Sequence, residues 1–133
     1  MADTVDVVTQ YNSPRRLVVV MTSESDGTGE SAVAKVDKSA FTGPDGTEPS
    51  RFMIEEIEYD VGGMRVLLEW DHTTPDEIAV LNGAGFLDFT KGGKFAGKVD
   101  PASAGGTGDI LLTTVGHTAG DGYTITLVMK KKD

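Results

Sequence analysis

Runs in which every second residue is apolar, separated by glycine-bearing turns, recur along the whole chain and predict strands throughout. Asp3 to Tyr11 is rich in Val and Thr and reads as a strand. Asn12-Ser13-Pro14 is a turn, and Arg15 to Thr22 is a second strand with Leu17, Val19 and Met21 on one face, so the two predict a hairpin. Val18 and Val20 make the opposite face apolar as well, which predicts cover on both sides of that strand.

Ala32 to Asp37 forms a short strand between two long polar loops, Ser23 to Ser31 and Lys38 to Ser50, the latter carrying the turn signal Gly43-Pro44-Asp45-Gly46. In Arg51 to Val61, Met53, Ile57, Tyr59 and Val61 share a phase opposite Glu56, Glu58 and Asp60, and Glu55 interrupts the apolar set. Met64, Val66, Leu68 and Trp70 alternate with Arg65, Leu67, Glu69 and Asp71 after Gly62-Gly63, so a hairpin turning on the glycine pair is expected, with Trp70 as its core anchor. Two further short strands, Ile78 to Leu81 and Phe86 to Phe89, flank Asn82-Gly83-Ala84-Gly85. Lys91 to Gly108 has no sustained period and reads as a flexible glycine-rich loop. Asp109 to Val115 and Tyr123 to Lys131 are expected to close the chain as a hairpin around His117 to Gly122, with Tyr123, Ile125, Leu127 and Met129 on one face.

About eight or nine short strands and no amphipathic helix place the chain in the all-β class, and predict a two-layer β-sandwich of jelly-roll or Greek-key, Ig-like type with long loops. A closed barrel is the competing architecture. At 133 residues a single domain spanning 1–133 is expected, with 1–16 as an N-terminal arm or edge strand and 91–108 as the glycine-rich loop. No internal repeat is visible.

Composition narrows the function. Twenty-one acidic against 12 basic residues give a formal charge of −9, which repels phosphate backbones and anionic membranes. Lys130, Lys131 and Lys132 are the exception, and they read as a solvated tail that blocks edge pairing. Cysteine is absent, which excludes disulfides and thiolate chemistry. The start of the chain has neither the basic nor the apolar segment of a leader, and Leu17 to Met21 is too short to span a bilayer, so synthesis in the cytosol is expected.

No catalytic, cofactor or metal residues are expected. There is no G-x-S-x-G, and His72 and His117, the two histidines, both fall in turns. The Asp71, His72, Asp76, Glu77 group and the loop acids Asp26, Glu30, Asp45 and Asp121 are oxygen-rich, but no D-x-[DN]-x-[DN]-G pattern organises them for calcium. Glu55, Glu56, Glu58 and Glu69 lie on neighbouring strands, as paired glycosidase carboxylates would, yet read as the wet side of a sheet. Tyr59, Trp70, Phe86, Phe89 and Tyr123 are expected on apolar faces, leaving Tyr11, Phe41, Phe52 and Phe95 as exposed contact residues.

Three stretches carry a resemblance: Ser25 to Ser31 running into Val33-Ala34-Lys35-Val36-Asp37; Gly63-Met64-Arg65-Val66-Leu67-Leu68-Glu69-Trp70-Asp71; and Gly108-Asp109-Ile110-Leu111-Leu112-Thr113-Thr114-Val115-Gly116-His117-Thr118. Their order and spacing resemble a group of small virion structural proteins of tailed bacteriophages. The resemblance implies a non-enzymatic virion component located on the capsid surface and made in the host bacterial cytoplasm. It would act as a capsid decoration or cement protein binding the major capsid protein and copies of itself, with a homotrimer as one arrangement and no role for nucleic acid or membrane. Its implied contact elements are Ala2 to Arg16, Ser23 to Ser31, Lys38 to Ser50 and Lys91 to Gly108, within which Tyr11, Arg15, Arg16, Phe41, Lys94, Phe95 and Lys98 are the candidate partner contacts. A tail, neck or host-recognition component is the alternative, and a carbohydrate-binding or adhesion module is the further one.

Overall fold

The computed structural model describes residues 4–25, 27, 29–43, 46–49, 51–71, 76–89, 98–99 and 109–132, with the backbone alone at 4, 76, 98, 99 and 132. The chain is all-β. Among the described residues its strands are β1 (Thr4–Asn12), β2 (Arg16–Glu24), β3 (Val33–Val36), β4 (Arg51–Trp70), β5 (Asp76–Asp88), β6 (Lys98–Val99), β7 (Ile110–Val115) and β8 (Gly122–Lys132), and a 3-10 turn, Lys38–Ala40, follows β3. They join in one sheet of order β1-β2-β8-β4-β7-β3, with β5 and β6 also paired to β4. Two separate stacked sheets were expected; one continuous sheet, nearly closed and barrel-like, is found.

β4 organises this sheet. Its residues 51–62 pair with β8 and its residues 65–70 pair with β7, while β5 runs along the opposite edge past both stretches. β7 and β8 therefore lie end to end beside β4, separated by the loop 116–121. β2 and β3 repeat the arrangement one lane further out, β2 against β8 and β3 against β7. The expected closing hairpin does not form, because each of its strands takes its hydrogen bonds from β4. The two short strands expected around Asn82 to Gly85 are likewise one strand, β5.

The hairpin expected at Gly62-Gly63 is a bend inside β4. Val61 pairs with Gly83 and Val66 with Leu81, so β4 advances five residues, from 61 to 66, while β5 advances two. The excess bulges out of the ladder, which deflects a strand without reversing it. Gly63 accommodates this with φ +79°, a conformation costly for any residue carrying a Cβ.

Glu55 marks a second irregularity, since the β4–β8 register shifts between Ile54 and Glu56. An extra residue inverts the alternation. Phe52 and Ile54 thus point inward before the bulge, Ile57 and Val61 after it, and Met64, Val66, Leu68 and Trp70 beyond the bend. Met53, expected in the core phase, is turned outward and half-buried.

Inward side chains from both sides of the bend form one core. Leu17, Val19 and Met21 of β2, Ile110 and Leu112 of β7, and Ile125, Leu127 and Met129 of β8 meet the inward residues of β4, and Trp70 is the anchor expected of it at 1% exposure. β8 is an interior strand between β2 and β4, so its lysines guard no edge, and Lys131 is buried rather than a solvated tail.

Candidate functional site

The outer face of the sheet is ordered by pairing register. Side chains opposite one another across a ladder share a face. One row reads Tyr11, Val18, Val128, Glu56, Asp88; the next reads Val8, Val20, Thr126, Glu58, Phe86; a third reads Asp6, Thr22, Thr124, Asp60, Ala84. The face is thus divided: an apolar sector over β1, β2 and β8, and an acidic sector over β4 and β5. Val18, Val20 and Val128 are half-buried, whereas Val8 and Tyr11 are exposed. Arg15 and Arg16, both exposed, stand at one end of the apolar sector beside the outward, half-buried Lys130. Arg16 is tied to Glu55 by an ion pair in which the arginine stays half exposed. Acid faces the middle of the sheet and base its end.

The same end is closed from inside by Lys131. Its ammonium donates to Asn12 Oδ1, to Ser13 O at 2.7 Å and to Thr42 O at 2.9 Å, and lies 5.6 Å above the centre of the Phe41 ring. Phe41 meets Phe52 edge to face at 6.1 Å. The cation thus binds the β1–β2 turn and the loop after the 3-10 turn to the end of β8, and burial pulls its pKa below the usual lysine range.

A second polar centre occupies the bend. Glu30 and Lys35 form an ion pair with side chains 6% and 3% exposed. Tyr123 donates its hydroxyl to Glu30 Oε1 at 2.6 Å, so both carboxylate oxygens are engaged. Thr114 Oγ1 accepts from Glu30 N at 2.9 Å and lies 3.3 Å from His117 Nδ1, and Glu30 O accepts from Thr114 N at 2.9 Å. The His117 ring covers Gly29 so closely that no side chain could stand there. These contacts tie the β2–β3 loop to β7 and to the β7–β8 loop. Chemically the arrangement is a locked network, because the charges neutralise each other and both Glu30 carboxylate oxygens already have partners.

Of the seven candidate contacts, the four whose side chains are described are not all brought together. Tyr11, Arg15 and Arg16 share the basic end of the outer face, with Tyr11 56% exposed. Phe41 does not join them: it is half-buried under Lys131 and against Phe52, because the core at that end needs a lid. Lys98 pairs through its backbone with Ile54, its side chain lying outside the described residues, as do Lys94 and Phe95. Phe52, expected exposed, is wholly buried, since the Glu55 bulge inverts its face; Phe86, expected on an apolar face, is 53% exposed beside Glu58.

Of the oxygen-rich loop acids, Asp121 spends its carboxylate on Thr118 N and Oγ1 at 2.7 and 3.0 Å, while Asp26 and Asp45 lie outside the described residues, as does His72. Glu69 accepts from the Thr113 hydroxyl at 3.3 Å. Among the described residues no three acidic or histidine side chains converge as a metal site, and no helix is long and apolar enough to cross a membrane. A shallow depression of about 380 Å³ opens at the bend beside Glu24 and Asp60, floored by the backbone of Gly62, Gly120 and Gly122. The signal missed in the sequence was the β1–β2–β8 register, which aligns Val8, Tyr11, Val18, Val20 and Val128 into one surface. No family model, curated protein or solved structure matches the chain.

Proposed function

We propose that this protein is a non-enzymatic structural component of a tailed-bacteriophage virion, a decoration or cement protein that binds the outside of the capsid shell. The observation that supports this reading most is the division of the outer face. An apolar sector flanked by Arg15 and Arg16 lies on a sheet whose core is densely filled and whose polar centres are internally paired. A face of this kind suits extended, flat contact with a large assembly, in which apolar area supplies affinity and charges at its rim supply register. The resemblance of its three stretches to phage virion proteins supports the same reading. In that setting the two halves of the bent sheet serve as the facing layers of a jelly-roll or Greek-key sandwich. The partners are the major capsid protein and further copies of the chain, with the virion surface as its location.

Quantitative protein analysis of the purified particle tests this. A copy number on the scale of the shell subunits supports it; a copy number matching a single tail or neck ring moves the protein to the alternative location. In a reconstituted assay, wild-type protein should coat shells lacking it, and Tyr11→Ala with Arg15→Glu should lower occupancy at least about tenfold. Undiminished coating by that variant would remove the basic, apolar end from the contact.

A further inference from the structure

β1 pairs with β2 along one edge, and among the described residues its other edge has no strand beside it. Its side chains from Val5 to Asn12 are exposed on both faces, with Val5 at 38%, Val7 at 40% and Val8 at 41%. An uncovered edge strand with apolar residues on both faces is the usual template for strand addition, and the common safeguards are charges, proline or a bulge. β1 has a bulge at one place only: its register with β2 shifts between Thr9 and Tyr11. From Thr4 to Thr9 the ladder is regular, and Asp6 is the only charge in that stretch.

We propose that this edge is a self-association surface, on which a second copy of the chain adds its own β1 antiparallel about a two-fold axis at Val7. The choice of occupant and register follows from the charges and from the bulge. A two-fold at Val7 uses Val5 to Thr9, five of the six residues of the regular stretch, and leaves the bulge outside. Val7 then faces its own equivalent, Asp6 faces Val8 of the other copy, and Val5 faces Thr9. The adjacent register, centred on Asp6, would use an equally long part of that stretch, Thr4 to Val8, but would place two carboxylates opposite each other, which destabilises a pair.

Antiparallel addition also sets the basic end of one copy, with Arg15 and Arg16, toward the end of the other that carries Asp6 and Glu24. Parallel addition would put like ends together. The acidic rows of the outer face stand off from this edge, on β4 and β5. β4 is three strand spacings from the free edge, roughly 14 Å along the sheet. The Debye length at physiological ionic strength is about 8 Å, so the repulsion between those rows is screened. The contact is isologous and closes on itself.

The experiment is sedimentation equilibrium of the full chain, with cysteine trapping. Wild-type protein should dimerise with a dissociation constant no weaker than about 100 μM, and Val7→Lys should weaken it at least about tenfold while leaving the melting temperature unchanged. The chain has no cysteine, so Val7→Cys introduces a single thiol. Opposed Cα atoms in an antiparallel pair lie about 4.5–5.5 Å apart, within disulfide reach. Val7→Cys should therefore cross-link under mild oxidation at least about tenfold faster than Val80→Cys, placed on β5 at a position 49% exposed. A wild-type chain that stays monomeric at about 500 μM, or cross-linking no faster at position 7 than at position 80, overturns the proposal. A dimer broken by Val80→Lys but not by Val7→Lys does the same.

Discussion

Glu30 and Lys35, five positions apart in sequence and nearly sealed from water, hold the outer loop of the bend to the body of the sheet. Glu30 also accepts from Tyr123 of β8, so the pair joins the β2–β3 segment to the strand beyond the bend. Removing one partner leaves the other charge buried without compensation, at a cost of about 3–5 kcal/mol. Lys35→Met and Glu30→Gln should each lose stability on that scale in urea denaturation. The double variant should recover most of it, and strictly additive losses would show that the pair is not coupled.

The burial of Lys131 carries a pH signature. Its pKa is lowered in the folded state because burial disfavours the ammonium, whereas the unfolded chain titrates near about 10.4. Between those values the unfolded state binds more protons, so this group's contribution to stability rises as pH increases through that window. Below the folded pKa both states are charged and the full burial penalty is present. The stability difference between wild type and Lys131→Met should therefore shift in favour of wild type as pH rises from neutrality toward 10, as followed by chemical denaturation. A difference independent of pH would contradict the burial of this amine.

Gly63 and Gly46 both have positive φ, at +79° and +85°, but differ in surroundings. A Cβ on Gly63 would strike the Asp121 carboxylate, which Thr118 holds by two hydrogen bonds; a Cβ on Gly46 meets nothing. Gly46→Ala should cost about 1 kcal/mol, from backbone strain alone. Gly63→Ala adds a clash at the bend and should cost at least about 2 kcal/mol more. Equal losses in thermal or urea denaturation would mean that the bend yields freely.

Phe52 and Phe86 occupy opposite environments, one wholly buried and the other 53% exposed. Phe52→Ala should destabilise by about 3–5 kcal/mol, the range for truncating a buried aromatic ring. Phe86→Ser should stay within about 0.5 kcal/mol of wild type. Reversed magnitudes in paired denaturation curves would put the Glu55 bulge on the wrong residue.

Period-two alternation is a local property, and it made most strands legible: β2, the last strand, and both arms of β4 with Trp70 at the end. It fails where one extra residue shifts the phase. Glu55 looked like an acid intruding on an apolar set, yet it is the bulge residue that turns Phe52 inward and Met53 outward. The pair Gly62-Gly63 carries the same signal for a reversal and for a bend, because both need a left-handed residue. The candidate contacts were legible only in part: Tyr11, Arg15 and Arg16 are exposed together at one end of the outer face, but Phe41 is half-buried as a lid over Phe52.

The sequence by itself determined the all-β class, the absence of cysteine chemistry, the acidic balance and the inward set of most strands, since these follow from composition and from a backbone whose side chains alternate. Only the tertiary structure decided strand pairing. β7 and β8 could hydrogen-bond to each other or to β4, and that choice depends on which edge lies open after β4 bends. It also decided that a terminal lysine is buried, because Lys131 is held by Asn12, Ser13 and Thr42, oxygens up to 119 positions away along the chain, which no local pattern records.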